Sequence, residues 1–172
     1  MLWLEADRMG FLLDAVTQLK NRHWLEANLH REVKAASELN EPLCLIMADV
    51  DHFKKINDTH SHAIGDAVLR EIGALLKGQA RNDDLVARYG GEEFVMVLRG
   101  VSGPQMAERM ERLRAAVERH DWGRVVTGLG VTTSIGVAAA DGALAFRELV
   151  ERADTALYAA KSAGRNRVVT AA

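Results

Sequence analysis

The sequence is poor in the residues that define several common protein classes. Cys44 is the only cysteine among 172 residues, which excludes a disulfide framework and a metal site built on paired cysteines. Basic residues (22) and acidic residues (24) nearly balance, and the formal net charge of -2 argues against a general polyanion binder. The segment 1–13 has early acidic residues and no long apolar run, so it indicates neither a signal peptide nor a membrane span. We therefore expect a cytoplasmic protein that neither crosses a membrane nor binds nucleic acid.

Apolar patterning predicts one domain of mixed helices and strands. The two prolines, Pro42 and Pro104, each stand just before an apolar-periodic segment. Strands are predicted for "LCLIMA", for "DLVAR" and "EFVMVL", for two segments of "VVTGLGVTTSIGVA", and for "RVVT" after the helix stop at Gly164. Between "DLVAR" and "EFVMVL", we expect Gly90 and Gly91 to take the positive φ angles of a tight hairpin turn. The predicted helix stripes are Val68, Leu69, Ile72, Leu75 and Leu76; Met106, Met110, Leu113 and Val117; and Phe146, Leu149, Val150, Ala153 and Leu157. This order predicts an α+β fold, with an antiparallel-containing sheet covered by helices.

Carboxylates cluster where two predicted strands end. Asp49 and Asp51 follow a buried strand and would project from one face if the strand continues that far. Glu92 and Glu93 are adjacent, so only one of them would share a site with Asp49. Two like charges about 4 Å apart repel by roughly 4 kcal/mol at an effective dielectric of about 20, so carboxylates that face a triphosphate need a metal between them. An oxygen-only site suits Mg²⁺. For "GGEE" alone, a plain hairpin with surface glutamates remains the alternative.

Four separated motifs stand in an order that resembles one protein family. The segments "DAVTQLKNRH", "DVDHFKKINDTHSHAIGD", "GGEEF" and "ALYAAKSAGRNRV" together resemble the GGDEF family of diguanylate cyclases, over roughly residues 12–170. The resemblance implies a central mixed, largely antiparallel sheet wrapped by helices, related to the palm of nucleotide polymerases and cyclases. It also implies that residues 1–13 end an N-terminal linker or signalling helix and that residues 14–172 form the catalytic domain. Val16, Gln18 and His23 depart from the family's usual N-terminal motif.

The resemblance implies that two GTP-loaded domains face each other as a homodimer and form cyclic di-GMP and pyrophosphate. Each active site would hold two Mg²⁺ ions, with Mn²⁺ as an alternative. Asp49, Glu92 and the Val50 carbonyl would be metal ligands, and Glu93 would help to deprotonate the attacking hydroxyl or hold a metal. Asp51 has a structural alternative, since it could cap the helix that begins at "HFKKI". Family members commonly carry an N-terminal sensor, and this chain is barely longer than the catalytic domain.

The implied GTP contacts are spread over three of these motifs. Asn57 and Asp66 would read guanine, because a carboxylate accepts from N1 and N2 and an amide pairs with O6 or N3. Either residue alone would pass as a cap or turn residue, and Asp66 is predicted to stand directly before a helix. Ser61 and His60 replace the family's usual glycine and aromatic residue and could alter the shape of the guanine pocket. The implied phosphate and nucleotide contacts are Phe53, Lys54, Lys161, Arg165, Gly90 and Gly91.

A second constellation precedes the Gly-Gly pair. Arg81 and Asp84 form an Arg-x-x-Asp where the family has its product-inhibition site, and Arg112 on the next helix would add a third contact. Arginine forks suit the guanine edges and phosphates of cyclic di-GMP. A surface ion pair is the alternative for this motif.

Other functions stay open on the sequence alone. The chain could be an inactive module that binds cyclic di-GMP or GTP, although it retains the signature carboxylates that such modules usually lose. It could also be a cyclase for another nucleotide, against which Asn57 and Asp66 argue. His52, His60 and His62 could suggest a transition-metal site, but solvated or capping histidines are favoured because further soft ligands are missing.

Overall fold

A computed structural model describes residues 11–140 and 145–172. Most of the predicted linker helix, residues 1–10, lies outside the described residues, so the boundary at residue 13 stays a prediction. The helices are α1 (Arg22–Glu38), α2 (Phe53–Thr59), α3 (His62–Gln79), α4 (Gly103–Arg119) and α5 (Phe146–Ser162). The strands are β1 (Leu43–Val50), β2 (Leu85–Arg88), β3 (Glu93–Arg99), β4 (Thr133–Ala140) and β5 (Val168–Thr170). None of the described helices is long and apolar enough to cross a membrane.

The strands form one five-stranded sheet in the order β2-β3-β1-β4-β5. The pairs β2–β3, β3–β1 and β1–β4 are antiparallel, whereas β4 and β5 are parallel. The predicted mixed, largely antiparallel sheet is therefore confirmed. All eight residues of the central strand β1 are buried, which explains why its sequence reads as a continuous apolar run rather than an alternating one.

Helices cover both faces of this sheet, and the predicted apolar stripes face it. Alternate residues of β1 point to opposite sides. Ile46 packs in a cluster with apolar residues of α3 and α4, whereas Met47 packs in a second cluster with residues of α1 and α5. On α5 the packing is close at Gly136 of β4, where a Cβ would lie 2.3 Å from the Ala153 carbonyl oxygen and 2.4 Å from the Leu157 nitrogen. The two faces thus form separate apolar layers with β1 between them.

The prediction of two strands within "VVTGLGVTTSIGVA" is wrong, because only Thr133–Ala140 is a strand. The residues before it form a 3-10 turn at Trp122–Arg124 and further turns. Trp122 is buried, and its indole donates to the Val117 carbonyl at 2.8 Å. The amides of Val125 and Val126 both donate to the Trp122 carbonyl, so they are not available to a sheet ladder. Local turn bonds therefore outweigh the β propensity of these valines.

Candidate active site

The site lies where the end of β1 meets the turn between β2 and β3. Asp49 pairs across the sheet with Glu93, the first residue of β3. The Val50 amide donates to the Glu92 carbonyl at 3.2 Å, which fastens the turn to the end of β1. Because Glu92 lies in the turn and not in the strand, the alternation expected for the two glutamates does not apply, and the charges of both act on Asp49. Asp49, Glu92 and Glu93 thus share one electrostatic environment.

Asp49 is a buried carboxylate that forms an ion pair with Lys161. Its side chain is 7% exposed, and the Lys161 ammonium lies 2.8 Å from its Oδ2. Burial raises the pKa of Asp49 to about 6, the charges of Glu92 and Glu93 add to this increase, and the contact with Lys161 opposes it. A further positive charge brought close to Asp49 would therefore stabilise its ionised carboxylate.

Asp49 and Glu92 offer the type of ligand that a divalent cation such as Mg²⁺ takes. Among the described residues, no three His, Cys, Asp or Glu side chains converge as a preformed metal cluster. Mg²⁺ is usually held by one or two carboxylates together with substrate phosphates, so a preformed cage is not required. Asp49 and Glu92 provide negative charge and carboxylate oxygens of the kind that Mg²⁺ binds, and the Lys161 ammonium offsets part of this charge at Asp49.

The Gly-Gly turn has a shape that differs from the expected one. Neither Gly90 nor Gly91 has a positive φ, so the expectation of left-handed glycines is wrong. Instead, the Arg88 guanidinium holds the turn, donating from Nε to the Gly90 carbonyl at 3.1 Å and from Nη2 to the Gly91 carbonyl at 2.7 Å. A Cβ on Gly91 would meet nothing within 4 Å, so this side of the turn is open for a ligand.

Arg88 is itself held by the N-terminal motif, a contact that sequence reasoning missed. Its Nη1 lies 3.0 Å from Asp14 Oδ1, and both side chains are mostly buried. Burial tends to raise the pKa of Asp14, but hydrogen bonds from Thr17 and the charge of Arg88 outweigh it, and the pKa is lowered overall. Gln18 in the same motif has a left-handed φ of 59°. The departure of Gln18 from the family's usual motif is the sequence signal for this unusual backbone position.

Asp51 does not cap the following helix, so that alternative is wrong. The N-cap position of α2 is His52, which makes no side-chain cap bond. The Asp51 carboxylate instead accepts hydrogen bonds from the Thr132 hydroxyl at 2.7 Å, the Ser134 hydroxyl at 2.6 Å and the backbone N–H of Asn166 at 3.0 Å. Asp51 therefore joins the end of β1 to the start of β4 and to the segment before β5.

The two predicted guanine-reading residues lie on adjacent helices. Asn57 is inside α2, and Asp66 is inside α3, which begins at His62 behind a Ser61 cap. Asp66 therefore does not precede a helix, and the cap alternative for it is wrong. The Asn57 Oδ1 atom is buried without a hydrogen-bond partner among the described residues. It faces Gly65, where a Cβ would lie only 1.8 Å from it.

The predicted phosphate contacts differ in their surroundings. Lys161 is in the last turn of α5, whereas Arg165 follows the helix with a left-handed φ of 65°. The Phe53 side chain is buried in the core, so only its backbone could face a ligand. Lys54 is exposed and pairs with Asp58 at 2.7 Å. Of these side chains, Lys161 is the one that the structure brings to Asp49.

The predicted inhibitory residues lie apart from this site, in a tight turn before β2. The Asp84 carboxylate accepts from the Arg81 amide at 2.7 Å, and burial raises the pKa of Asp84. Arg112 points elsewhere and pairs with Glu108 at 2.8 Å on an exposed face. Arg109 is the α4 arginine whose charge acts on Asp84. The repeated pattern "ERMERLR" contains both Arg109 and Arg112, and the rotation of α4 determines which of them lies near Asp84.

A groove of about 720 Å³ is lined by Arg81 and Asp84 together with Lys20, Trp24, Arg31 and Arg99.

Comparisons with known proteins agree on one family. The family described as "Diguanylate cyclase, GGDEF domain" matches residues 11–167. The chain is 41% identical over 168 residues to diguanylate cyclase DgcP of Pseudomonas aeruginosa, covering 98% of this chain and 25% of that protein. It is 41% identical over 159 residues to diguanylate cyclase A of Treponema denticola, covering 90% of this chain and 43% of that protein. The chain thus spans less than half of the length of these relatives.

Solved structures show the same fold. The crystal structure of the coiled coil and GGDEF domain of DgcB from Caulobacter crescentus, in complex with c-di-GMP, has a TM-score of 0.91 at 33% identity. The match covers 98% of this chain and 90% of that one. The active GGEEF domain of a diguanylate cyclase from Vibrio cholerae has a TM-score of 0.84 at 31% identity, over 90% of this chain and 99% of that one.

Proposed function

This chain belongs to the GGDEF family of diguanylate cyclases, and from that premise we propose that it condenses two GTP molecules to cyclic di-GMP and pyrophosphate. The observation that carries this proposal is Asp49, a buried carboxylate whose pKa is raised to about 6 beside Glu92 and Glu93. A buried carboxylate of this kind lowers the stability of the fold, and binding of a cation during the reaction would explain why it is present.

We propose Mg²⁺ as the cofactor, with two ions per active site and Mn²⁺ as a substitute. Asp49, Glu92 and the Val50 carbonyl would hold the metal. When bound, Mg²⁺ would supply the positive charge that stabilises the attacked α-phosphate. Two carboxylates and a carbonyl leave coordination positions for phosphate oxygens and water, as Mg²⁺ prefers.

The remaining residues would bind and orient GTP. Asn57 and Asp66 would read the guanine base from α2 and α3. Lys161 and Arg165 would bind the triphosphate tail at the end of α5, where the ammonium of Lys161 lies 2.8 Å from Asp49 Oδ2. Glu93, opposite Asp49 in the sheet, would accept the proton of the attacking 3′-hydroxyl. Backbone groups of residues 53 and 54 and the open side of Gly91 would adjoin the nucleotide.

The reaction would require a homodimer, because each copy presents one such site and the product contains two nucleotides. Each bound GTP would supply its 3′-hydroxyl to the α-phosphate of the other. We further propose that the product binds at Arg81 and Asp84 and slows the enzyme. The electrostatic link between Arg109 and Asp84 favours Arg109 over Arg112 as the third contact.

The test is turnover of GTP by the unaltered chain and by two variants. Asp49→Ala and Glu92→Ala should each abolish cyclic di-GMP formation while leaving a cooperative thermal unfolding transition. Asp154→Ala, which removes an exposed carboxylate from α5, is the matched control and should keep full activity. Product formation retained by Asp49→Ala would refute the metal assignment. Binding of cyclic di-GMP by an unaltered chain that makes no product would replace the cyclase by a receptor module.

A further inference from the structure

The segment that joins α5 to β5 has an unusual backbone. Three consecutive residues have positive φ angles, at 115° for Gly164, 65° for Arg165 and 45° for Asn166. Residues other than glycine rarely have positive φ angles, and such a backbone conformation persists only where surrounding contacts hold it in place. Contacts with other parts of the chain therefore hold Arg165 and Asn166 in this conformation.

One anchor of this segment is Asp51. The carboxylate is buried, with the residue 4% exposed, and its Oδ2 accepts from the Asn166 amide at 3.0 Å and from the Thr132 hydroxyl at 2.7 Å. Its Oδ1 accepts from the Ser134 hydroxyl at 2.6 Å. All three partners are donors, so an acceptor-only carboxylate suits the position. The Asp51 side chain thus ties residue 166 to the start of β4.

The second anchor is the side chain of Asn166. Its Oδ1 accepts from Arg114 Nη1 at 2.7 Å, and its Nδ2 donates to Glu118 Oε1 at 2.9 Å. Arg114 is mostly buried and also pairs with Glu111 and Glu118, both at 2.7 Å. The segment is therefore fixed on one side by the sheet and on the other by α4.

These anchors lie close in sequence to the two proposed triphosphate contacts. Lys161 lies in the last turn of α5, before the segment, and Arg165 stands directly before Asn166. Resting on the proposed function, we propose that Asp51 and Asn166 are positioning residues, which hold the 164–166 backbone so that Arg165 and Lys161 meet the triphosphate tail of GTP. Asp51 itself would touch neither the nucleotide nor the metal. Small displacements of such groups are costly to binding and catalysis, which gives the strained backbone a function.

The proposal predicts a loss that depends on the triphosphate. The probes are 3′-deoxyGTP and 3′-deoxyGMP with Mg²⁺, which lack the attacking hydroxyl, so that calorimetry measures binding alone. Asp51→Ala should weaken 3′-deoxyGTP binding about tenfold or more, since the charged contacts to the tail are misplaced, and should change 3′-deoxyGMP binding by less than about twofold. Asp51→Asn should restore most of the affinity. The oxygen of the introduced side chain can still accept from the Asn166 backbone N–H, and the Ser134 hydroxyl can turn to accept from the nitrogen of the introduced side chain.

A matched control removes another buried carboxylate. Glu32 pairs with Arg99 at 3.0 Å, at the end of β3 remote from Glu93. Glu32→Ala should lower the melting temperature and leave the preference for triphosphate over monophosphate unchanged. An equal loss of both nucleotides in Asp51→Ala, or no loss of either, would overturn the proposal.

Hydrogen exchange gives a second reading that needs no nucleotide. Asp51→Ala should speed amide exchange at residues 164–167 and leave the amides of β1 protected. Unchanged exchange there would overturn the proposal. If the unaltered chain failed to bind 3′-deoxyGTP, the proposed function would fall, whereas the exchange result would still decide whether Asp51 holds this segment.

Discussion

Replacing Gly65 by alanine should disturb guanine recognition through Asn57. Gly65 lies in α3, and a Cβ built there would be 1.8 Å from Asn57 Oδ1, 2.9 Å from its Cγ and 3.1 Å from Phe53 Cζ. An ordinary van der Waals contact is 3.4–4 Å, so the helix or the Asn57 side chain has to move. We expect the side chain to swing away, because its Oδ1 has no hydrogen-bond partner to hold it among the described residues.

Two magnitudes follow from this overlap. Overpacking of this kind costs about 1–3 kcal/mol of unfolding free energy. For a chain of this size, that cost lowers the melting temperature by roughly 2–12 °C. Loss of one neutral hydrogen bond to guanine costs about 0.5–1.5 kcal/mol. By the relation of about 1.4 kcal/mol to a factor of ten, GTP binding should weaken roughly 2- to 12-fold.

The assay is a double-mutant cycle that combines Gly65→Ala with Asn57→Ala. Thermal unfolding measures stability, and calorimetry with 3′-deoxyGTP, which lacks the attacking hydroxyl, measures affinity in the single variants. Once Asn57 is alanine the main overlap is gone, and alanine is a better helix residue than glycine by up to about 1 kcal/mol. Gly65→Ala should therefore become neutral or slightly stabilising in that background. The same cost in both backgrounds would show that Asn57 is not the source of the overlap, since the remaining close contact, Phe53, would then be its cause.

Two further predictions concern stability. Gln18→Gly should raise the unfolding free energy by about 0.5–1 kcal/mol, because relief of the left-handed backbone exceeds the entropy that glycine adds to the unfolded chain; an unchanged or lower melting temperature would contradict this. Asp49→Asn should abolish activity yet stabilise the fold at pH 7.5. Burial raises the pKa of Asp49 to about 6, so the contribution of Asp49 to the stability of the unaltered chain falls as the pH rises from about 4 through 6. Melting curves of the two proteins should converge below pH 4, and a gap that does not change with pH would count against the raised pKa.

The fold was predictable where apolar spacing is regular. The stripe of Met106, Met110, Leu113 and Val117 is fully buried on α4, and the apolar run 43–48 lies within the central strand. The prediction failed at Val125 and Val126, where turn bonds to the Trp122 carbonyl outweigh strand propensity. Propensity depends on the residue type alone, whereas this outcome depends on the burial of a tryptophan that orders the turn.

The candidate site was predictable in its residue types but not in its contacts. The motifs point to Asp49 and to the Gly-Gly turn, and the structure places them side by side. The role of Asp51 depends on Asn166, which is 115 residues away along the chain, and no local pattern reveals that pairing. The choice between Arg109 and Arg112 depends on how α4 is rotated against the sheet. Long-range pairing and helix rotation are properties of the packed structure.

Cyclase activity is tested by incubating the chain with GTP and Mg²⁺ at several protein concentrations and identifying the products by chromatography with mass detection. We expect cyclic di-GMP and pyrophosphate, formed at a rate that rises more steeply than the protein concentration, because two GTP-loaded copies must meet. Absence of cyclic di-GMP at the highest concentration, from a chain that is folded and binds GTP, would rule out the proposed cyclase activity.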